Sequence, residues 1–535
     1  MSEIVRDPNK IDIYDTTGRD GLQTVDVSMS LEDRVMMSQQ LESIGVDIIE
    51  AGFPASGEAT TNHELEVVQA VAVAVDSAKV AALCRLRPAD IENGWAGVEP
   101  AKDNSGGVRL HTFISTSDVQ MKEQRLTPEK VKELTASEVA RAKSFCDDVE
   151  FSPMDASRSD FELVMEVCRI AVENGATVIN IPDTTGYMTY RQYGRLIAAV
   201  MQGIQPSHPN VVFSAHTHGD RGLSTASNME AIGAGARQAE VAVNGLGPRL
   251  GNADLASIVG NIREGGNPLP SGAYTGVDSR RLVETSRMVA KLSGKPAPSN
   301  LPFTSPTAFA HVEGIHQHDV VGNPRSFEAL DAAVYGQEPG QIVLGPLSGR
   351  VGVSARLENI GIRLEGDELN AVTTQVKDLA TKEGRNLADT DIERIAAEYK
   401  GQTIEDPVAL GSIDIGVAGF DFSDPVFEIV LLVDGKERYL RFAATGKDQI
   451  HRAVQAINRS LGFETQIKDW HGDALREGSD AGAEIFVDMA QSNGRPIKAC
   501  AKGNDVLEAS IKAYLAGISI IKRIEQRAVQ DAIGL

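Results

Sequence analysis

Short apolar runs alternate with longer stretches of helical period through the first half of the chain, the pattern of strand-then-helix units on a parallel sheet. Eight runs read as strands: 10–15 (KIDIYD), 46–52 (VDIIEAG), 78–84 (AKVAALC), 108–114 (VRLHTFI), 148–152 (DVEFS), 177–182 (TVINIP), 211–216 (VVFSAH) and 239–244 (AEVAVN). Eight such units within about 275 residues predict an α/β fold, a (β/α)8 TIM barrel, whose catalytic groups belong at the C-terminal strand ends. A doubly wound open sheet is the competing architecture. Polar punctuation follows the strand ends: DTTGRDG, GFPASGE, SPMDASR, PDTTGY, HTHGDRG and NGLGPRLGN.

Glycine and proline then become dense, through GGNPLPSGAYTG and SGKPAPSNLPFTSP, which puts the end of the barrel domain, residues 1–275, at that point. Residues 276–415 read as an accessory helical subdomain and linker, with an acidic helical segment at 366–400. Residues 416–535 read as a duplicated strand, strand, helix unit: 425–435, 437–444 and a helix at 447–461, then 483–490, 494–501 and a helix at 504–522. Such a C-terminal α+β module, with little catalytic polarity of its own, is expected to regulate or to dimerise.

A length of 535 residues accommodates two to four domains. Hydrophobic residues at 42%, charged residues at 24% and no long apolar run describe a soluble globular protein without a membrane span. The formal charge of -23 argues against nucleic acid as a partner, so an anionic ligand has to be drawn in locally, by a metal ion and a few placed arginines. No apolar signal segment opens the chain, and Cys84, Cys146, Cys168 and Cys500 form neither a CxxC pair nor a disulfide framework. Reduced, buried thiols in a cytoplasmic protein are expected.

His216 and His218 lie two apart at a predicted strand end, so both project from the face shared with Val212 and Ser214. A histidine pair alone is a weak signal, more often surface or hydrogen-bonded polar decoration. Its place at a C-terminal strand end, with Asp20 in the loop after the first strand, favours two imidazoles and a carboxylate around a divalent ion that also binds substrate oxygens. In a closed barrel the first and seventh strands are near neighbours across the seam with the eighth. Gly18 and Gly21 let the backbone turn tightly at the strand end. Arg19, beside Asp20, is suited to neutralise an oxyanion, or to form a structural salt bridge in the barrel mouth. The segment 309–322, FAHVEGIHQHDVVG, carries three histidines, a glutamate and an aspartate. It can supply a general base, and spacing does not say which histidine.

Taken in order along nearly the whole chain, these motifs resemble the 2-isopropylmalate synthase family of barrel metallolyases, which includes homocitrate and citramalate synthases. They are DTTGRDGLQ, IIEAGFPAS, EFSPMDASRSD, NIPDTTGY, HTHGDRGLSTASN, NGLGPRLGN, EGIHQHDV and LGPLSGR, followed late by GNDVLEASIKAYL. The resemblance implies metal ligands Asp20, His216 and His218, with Asn252 contributing or supporting. It makes Arg19 the residue that polarises the keto oxygen, Thr184 a substrate contact and His316 the candidate base or its relay. Also implied are a divalent metal ion (Mg, Mn or Zn), acetyl-CoA as co-substrate and a 2-oxo acid, with 2-oxoisovalerate first. The implied reaction is a Claisen condensation followed by thioester hydrolysis, in leucine biosynthesis. A homodimer and an amino-acid feedback inhibitor, acting through the leucine-type C-terminal domain, complete the expectation.

The alternatives are citramalate synthase, acting on pyruvate, and a homocitrate-type synthase with another oxo acid. Hydroxymethylglutaryl-CoA lyase shares RDGLQ but uses a cysteine in the loop where this chain has NGLGPRLGN. A non-catalytic paralogue is disfavoured by the retained Arg19, Asp20, His216 and His218. Where the family reads RDGEQ, SPED and GERxGN, the glutamates here are Leu22, Met154 and Pro248; its HND is HGD at 218–220, and His318 stands where its HQD has aspartate. Three acidic positions turned apolar leave the oxo acid open, a bulkier or more anionic one than 2-oxoisovalerate being the competing expectation.

Overall fold

The computed structural model of the protein describes residues 7–54, 63–417, 425–444, 449–463, 465–474, 482–491 and 493–533. Residues 55–58 of the predicted loop GFPASGE and the first two residues of the predicted helix 447–461 lie outside them. All eight predicted runs in the first half are strands: β1 Asp12–Asp15, β2 Ile48–Gly52, β3 Lys79–Arg85, β4 Val108–Ser115, β5 Val149–Met154, β6 Val178–Asp183, β7 Val212–Thr217 and β8 Gln238–Val241. They pair in sequence order and close on themselves, with Asp12 opposite Gln238 and Asp15 opposite Val241. Closure removes the open sheet from consideration.

Between strands, amphipathic helices cover the barrel. The helix Tyr190–Ile204 buries Tyr193, Leu196, Ile197, Val200, Met201 and Ile204 on one stripe, and a Thr189–Gln192 capping box starts it. The period of two along the strands sends alternate side chains inward. There the interior is polar: Tyr14, Glu50, His111, Ser152 and Asn180 are joined by hydrogen bonds across five strands. Buried polar groups persist only when so paired, and this layer forms the floor beneath the C-terminal mouth.

Contacts divide the chain into two compact units, residues 1–308 with 331–338, and residues 309–330 with 339–535. Within the second unit, the acidic segment 366–400 is two helices, Gly366–Glu383 and Asp389–Tyr399, separated at Gly384, whose φ of +64° ends the first. The duplicated module has three strands per copy rather than two. One copy is Val408–Val417, Pro425–Val433 and Lys436–Ala443 with the helix Gln449–Leu461; the other is Gln466–Ala474, Ala483–Ala490 and Pro496–Gly503 with the helix Val506–Ile533. Both strands missed from the sequence are irregular in register, between Leu410 and Ser412 and between Ile467 and Asp469. A bulge shifts the alternation by one residue and hides the period of two. Val353, Leu357, Ile392, Ile429, Val487, Tyr514 and Ile518 belong to one buried cluster, so the linker helices and both sheets share a core.

The four cysteines are unpaired; Cys84, Cys146 and Cys168 are buried as expected, whereas Cys500 is only half-buried. Among the described residues no helix is long and apolar enough to cross a membrane.

Candidate functional site

At the end of β1, Asp15 accepts hydrogen bonds from Thr17 N (2.9 Å) and Thr17 Oγ1 (3.0 Å), and Thr16 O accepts from the backbone N–H groups of Arg19, Asp20 and Gly21. This turn lifts Arg19 and Asp20 into the mouth of the barrel. Gly18 and Gly21 do not take left-handed backbone angles. They are small because a methyl group on Gly18 would lie 3.0 Å from Glu50 O and one on Gly21 would lie 3.3 Å from Thr17, so close approach replaces the turn geometry expected of them.

Glu50, fully buried on β2, fixes Arg19. Its Oε2 accepts from Arg19 Nε at 2.7 Å and from Thr16 Oγ1 at 2.6 Å, and its Oε1 faces His111 Nδ1 at 2.9 Å. Arg19 Nη1 donates to Asp20, while Nη2 makes no bond to the described residues. Burial disfavours the charge on Arg19, but Asp20 and Glu50 outweigh it and hold the guanidinium protonated.

At the end of β7 and just beyond it, the Nε2 atoms of His216 and His218 stand 3.0 Å apart, and Asp20 Oδ2 is 4.0 Å from the first and 3.5 Å from the second. The pairing of Ser214 with Gln238 and Ala215 with Ala239 brings Glu240 of β8 beside His216, whose Nδ1 lies 2.7 Å from Glu240 Oε2. Asn252 Nδ2 donates to Asp20 Oδ2 and Leu246 O, both at 2.9 Å, which leaves its buried Oδ1 without a partner. The loop carrying Asn252 depends on Gly251: φ is +78°, and a methyl group there would meet Gly245 O at 1.8 Å. Gly219, the departure within HGD, is matched to the same loop, since a methyl group on it would lie 2.8 Å from Leu250 O.

Burial resists ionisation of Asp20, but Arg19 and then His216 hold its carboxyl below the usual range. His218 is pushed down to about 3 by burial and by its neighbour His216. His216 moves the other way, since burial is outweighed by Glu240 and Asp20. An ionised carboxylate, a neutral imidazole and a second imidazole converge in one place, with the Asn252 amide bonded to the carboxylate. That donor set fits a divalent cation of the Mg, Mn or Zn class.

His111, Glu150 and Glu240 form a second close group, all within 4.8 Å. Both nitrogens of His111 are already engaged, by Glu50 and Tyr14 on one side and Ser152 on the other, and Arg109 and Gln238 bind Glu150. This group is a hydrogen-bonded floor and not a vacant ligand set.

Thr184 follows β6 at the mouth. Its Oγ1 accepts from Asp155 N at 2.9 Å and its carbonyl from Arg249 Nη2 at 2.6 Å, which leaves the hydroxyl proton to donate. Leu22, Met154 and Pro248 are half-buried, after β1, at the end of β5 and after β8. In the second unit, His311 is paired with Glu328 at 3.1 Å and the exposed His318 with Asp319 at 3.0 Å. His316 makes no hydrogen bond through its ring to the described residues; its ring lies 4.0 Å from that of Phe327.

Sequence reasoning brought Arg19, Asp20, Thr184, His216, His218 and Asn252 to one barrel mouth, and the first unit contains all of them. Glu50, Glu240 and His111 were not singled out, because a charged residue in a strand is told from a solvent-facing one only when closure of the sheet buries it among partners.

Residues 10–289 match the family description HMGL-like, residues 303–384 the homocitrate synthase post-HMGL domain-like description, and residues 386–522 the LeuA allosteric (dimerisation) domain. The chain is 34% identical over 520 residues to the 2-isopropylmalate synthase of Acidimicrobium ferrooxidans, covering 97% of each chain. It is 35% identical over 530 residues to the 2-isopropylmalate synthase of Pyrococcus furiosus, covering 96% of this chain and 99% of that one. Among solved structures it is similar to hydroxymethylglutaryl-CoA lyase from Pseudomonas aeruginosa, with a TM-score of 0.44, 22% identity, and coverage of 55% of this chain and 96% of that one.

Proposed function

The chain belongs to the 2-isopropylmalate synthase family, and from that premise we propose that it is a metal-dependent acyltransferase acting on acetyl-CoA and a 2-oxo acid, 2-oxoisovalerate foremost. The methyl carbon of acetyl-CoA loses a proton and bonds to the keto carbon; hydrolysis of the thioester then releases coenzyme A and 2-isopropylmalate, a step of leucine biosynthesis. The observation that carries this reading is the convergence of Asp20, His216 and His218 within 4.8 Å, beside an arginine whose orientation Glu50 fixes.

Asp20, His216 and His218, with Asn252, would hold the divalent ion, which supplies Lewis-acid polarisation of the oxo acid when bound. Arg19 is held by Glu50 through Nε, so Nη2 is presented to the alkoxide that forms as the carbon–carbon bond closes. Thr184 donates its hydroxyl proton to the oxo acid. His316 acts as the base for the methyl proton or as its relay, the one histidine of the segment 309–322 whose ring has no polar partner among the described residues. Residues 1–275 carry the metal ligands, Arg19 and Thr184, 276–415 link and supply His316, and 416–535 regulate; the match to an allosteric dimerisation domain supports a homodimer with amino-acid feedback inhibition. Four unpaired cysteines accord with a cytoplasmic enzyme.

Coenzyme A release with 2-oxoisovalerate, pyruvate, oxaloacetate and 2-oxoglutarate tests the reading. Preference for 2-oxoisovalerate supports it, and preference for pyruvate would make the chain a citramalate synthase.

A further inference from the structure

We propose that Glu240 is a positioning residue of the metal centre, one that fixes the tautomer of His216 and lends its ring negative charge; the proposal rests on the reading of Asp20, His216 and His218 as metal ligands. Glu240 is 1% exposed and its Oε2 lies 2.7 Å from His216 Nδ1. An ionised carboxylate can only accept, so Nδ1 carries the proton and Nε2 keeps its lone pair towards Asp20 and His218. The contact is built into the barrel, because the register of β7 on β8 makes the two residues lateral neighbours.

The two histidines are not equivalent. His218 Nδ1 is buried and has no partner, so the ring of His218 lacks this support. Glu240 is also singular among the buried glutamates of the barrel. Arg19 is bonded to Glu50 and Arg109 to Glu150, whereas Glu240 is bonded to the His216 ring, and its second oxygen, Oε1, has no hydrogen-bond partner among the described residues. A cation bound at His216 Nε2 would draw on the negative charge of Glu240 through the imidazole, in the carboxylate–histidine–metal arrangement. Glu240 therefore contributes metal affinity through the ring of His216, an effect that a purely structural residue would not have.

The test compares full-length wild type, Glu240→Gln, Glu240→Leu, Glu240→Asp and Asp20→Asn. Zn and Mn affinity is measured by competition with a chromogenic chelator, together with the thermal midpoint with and without metal and the absorption spectrum of the Co form. Loss of an outer partner of a metal-bound histidine weakens affinity by about 10- to 100-fold, and we expect Glu240→Gln near the lower figure and Glu240→Leu near the upper. The metal-induced shift of the thermal midpoint should shrink in Glu240→Gln, and Glu240→Asp should recover part of the affinity. Wild-type affinity and an unchanged Co spectrum in both Glu240→Gln and Glu240→Leu, with Asp20→Asn weakened, would overturn the role of Glu240. Equal affinity in wild type and Asp20→Asn would instead overturn the metal-site reading beneath it.

Discussion

The Nε2 atoms of His216 and His218 face each other at 3.0 Å, with Asp20 Oδ2 3.5 Å from the nearer ring. Two such nitrogens beside a carboxylate can bind one cation. Asp20→Asn should lose most metal binding, and with it about 100-fold or more of coenzyme A release, the equivalent of several kcal/mol of Lewis-acid stabilisation. Metal content after dialysis and turnover are measured together; wild-type turnover in metal-stripped buffer would contradict the assignment.

Arg19 owes its orientation to Glu50. Glu50→Gln replaces the acceptor of Arg19 Nε by a neutral one and loosens the guanidinium without touching the ligands. The expected result is a kcat lower by about 10- to 100-fold with unchanged metal affinity, since a misplaced oxyanion donor acts on the transition state. A loss confined to KM would count against this role for Arg19.

Asp15 makes stability depend on pH. Burial pushes its carboxyl up from 3.8 to about 7, against the two bonds from Thr17. The folded protein keeps a proton that the unfolded chain gives up, so the stability from this group is complete below the unfolded pKa and lost as pH rises through the folded one. Relative to wild type, Asp15→Asn should gain stability between about pH 4 and about pH 8, by at most about 4 kcal/mol for a shift of roughly three units. Denaturation curves at several pH values provide the check, and parallel profiles for the two proteins would refute it.

Glu393 ties the linker to the last helix of the second unit. It is 1% exposed and accepts from Arg523 Nη2 at 2.7 Å and Arg527 Nη2 at 2.6 Å. Glu393→Gln removes the carboxylate from Arg527 and leaves Arg523 with Asp406, and should destabilise that unit by at most about 3–5 kcal/mol. Chemical denaturation followed by the fluorescence of Trp470 in a Trp95→Phe background reads this, and a midpoint equal to that of the background protein would show the pair to be expendable.

Much of the barrel was legible in the sequence because strands covered on both faces are near-continuous apolar runs, each ended by polar punctuation. Val408–Val417 and Gln466–Ala474 were not legible, because a register shift in each destroys the alternation. Asp20, His216 and His218 were readable from strand-end position and spacing. Glu50 and Glu240 were not singled out, since a glutamate in a strand resembles a solvent-facing residue until closure of the sheet turns it inward. Glu240 lies two residues beyond Gln238, and only the β7–β8 register reveals that both face the interior beside Ser214 and His216. The role of Gly18 depended on how closely β2 approaches, which no local pattern contains.

If this barrel joins acetyl-CoA to a 2-oxo acid at a divalent metal, free-thiol release by the full-length protein, supplied with Mg, Mn or Zn, acetyl-CoA and 2-oxoisovalerate, reads it directly. Thiol release is expected to require all three components, to yield 2-isopropylmalate, and to disappear in Asp20→Asn. Absence of thiol release with every 2-oxo acid of the panel, from folded and metal-loaded protein, would contradict it.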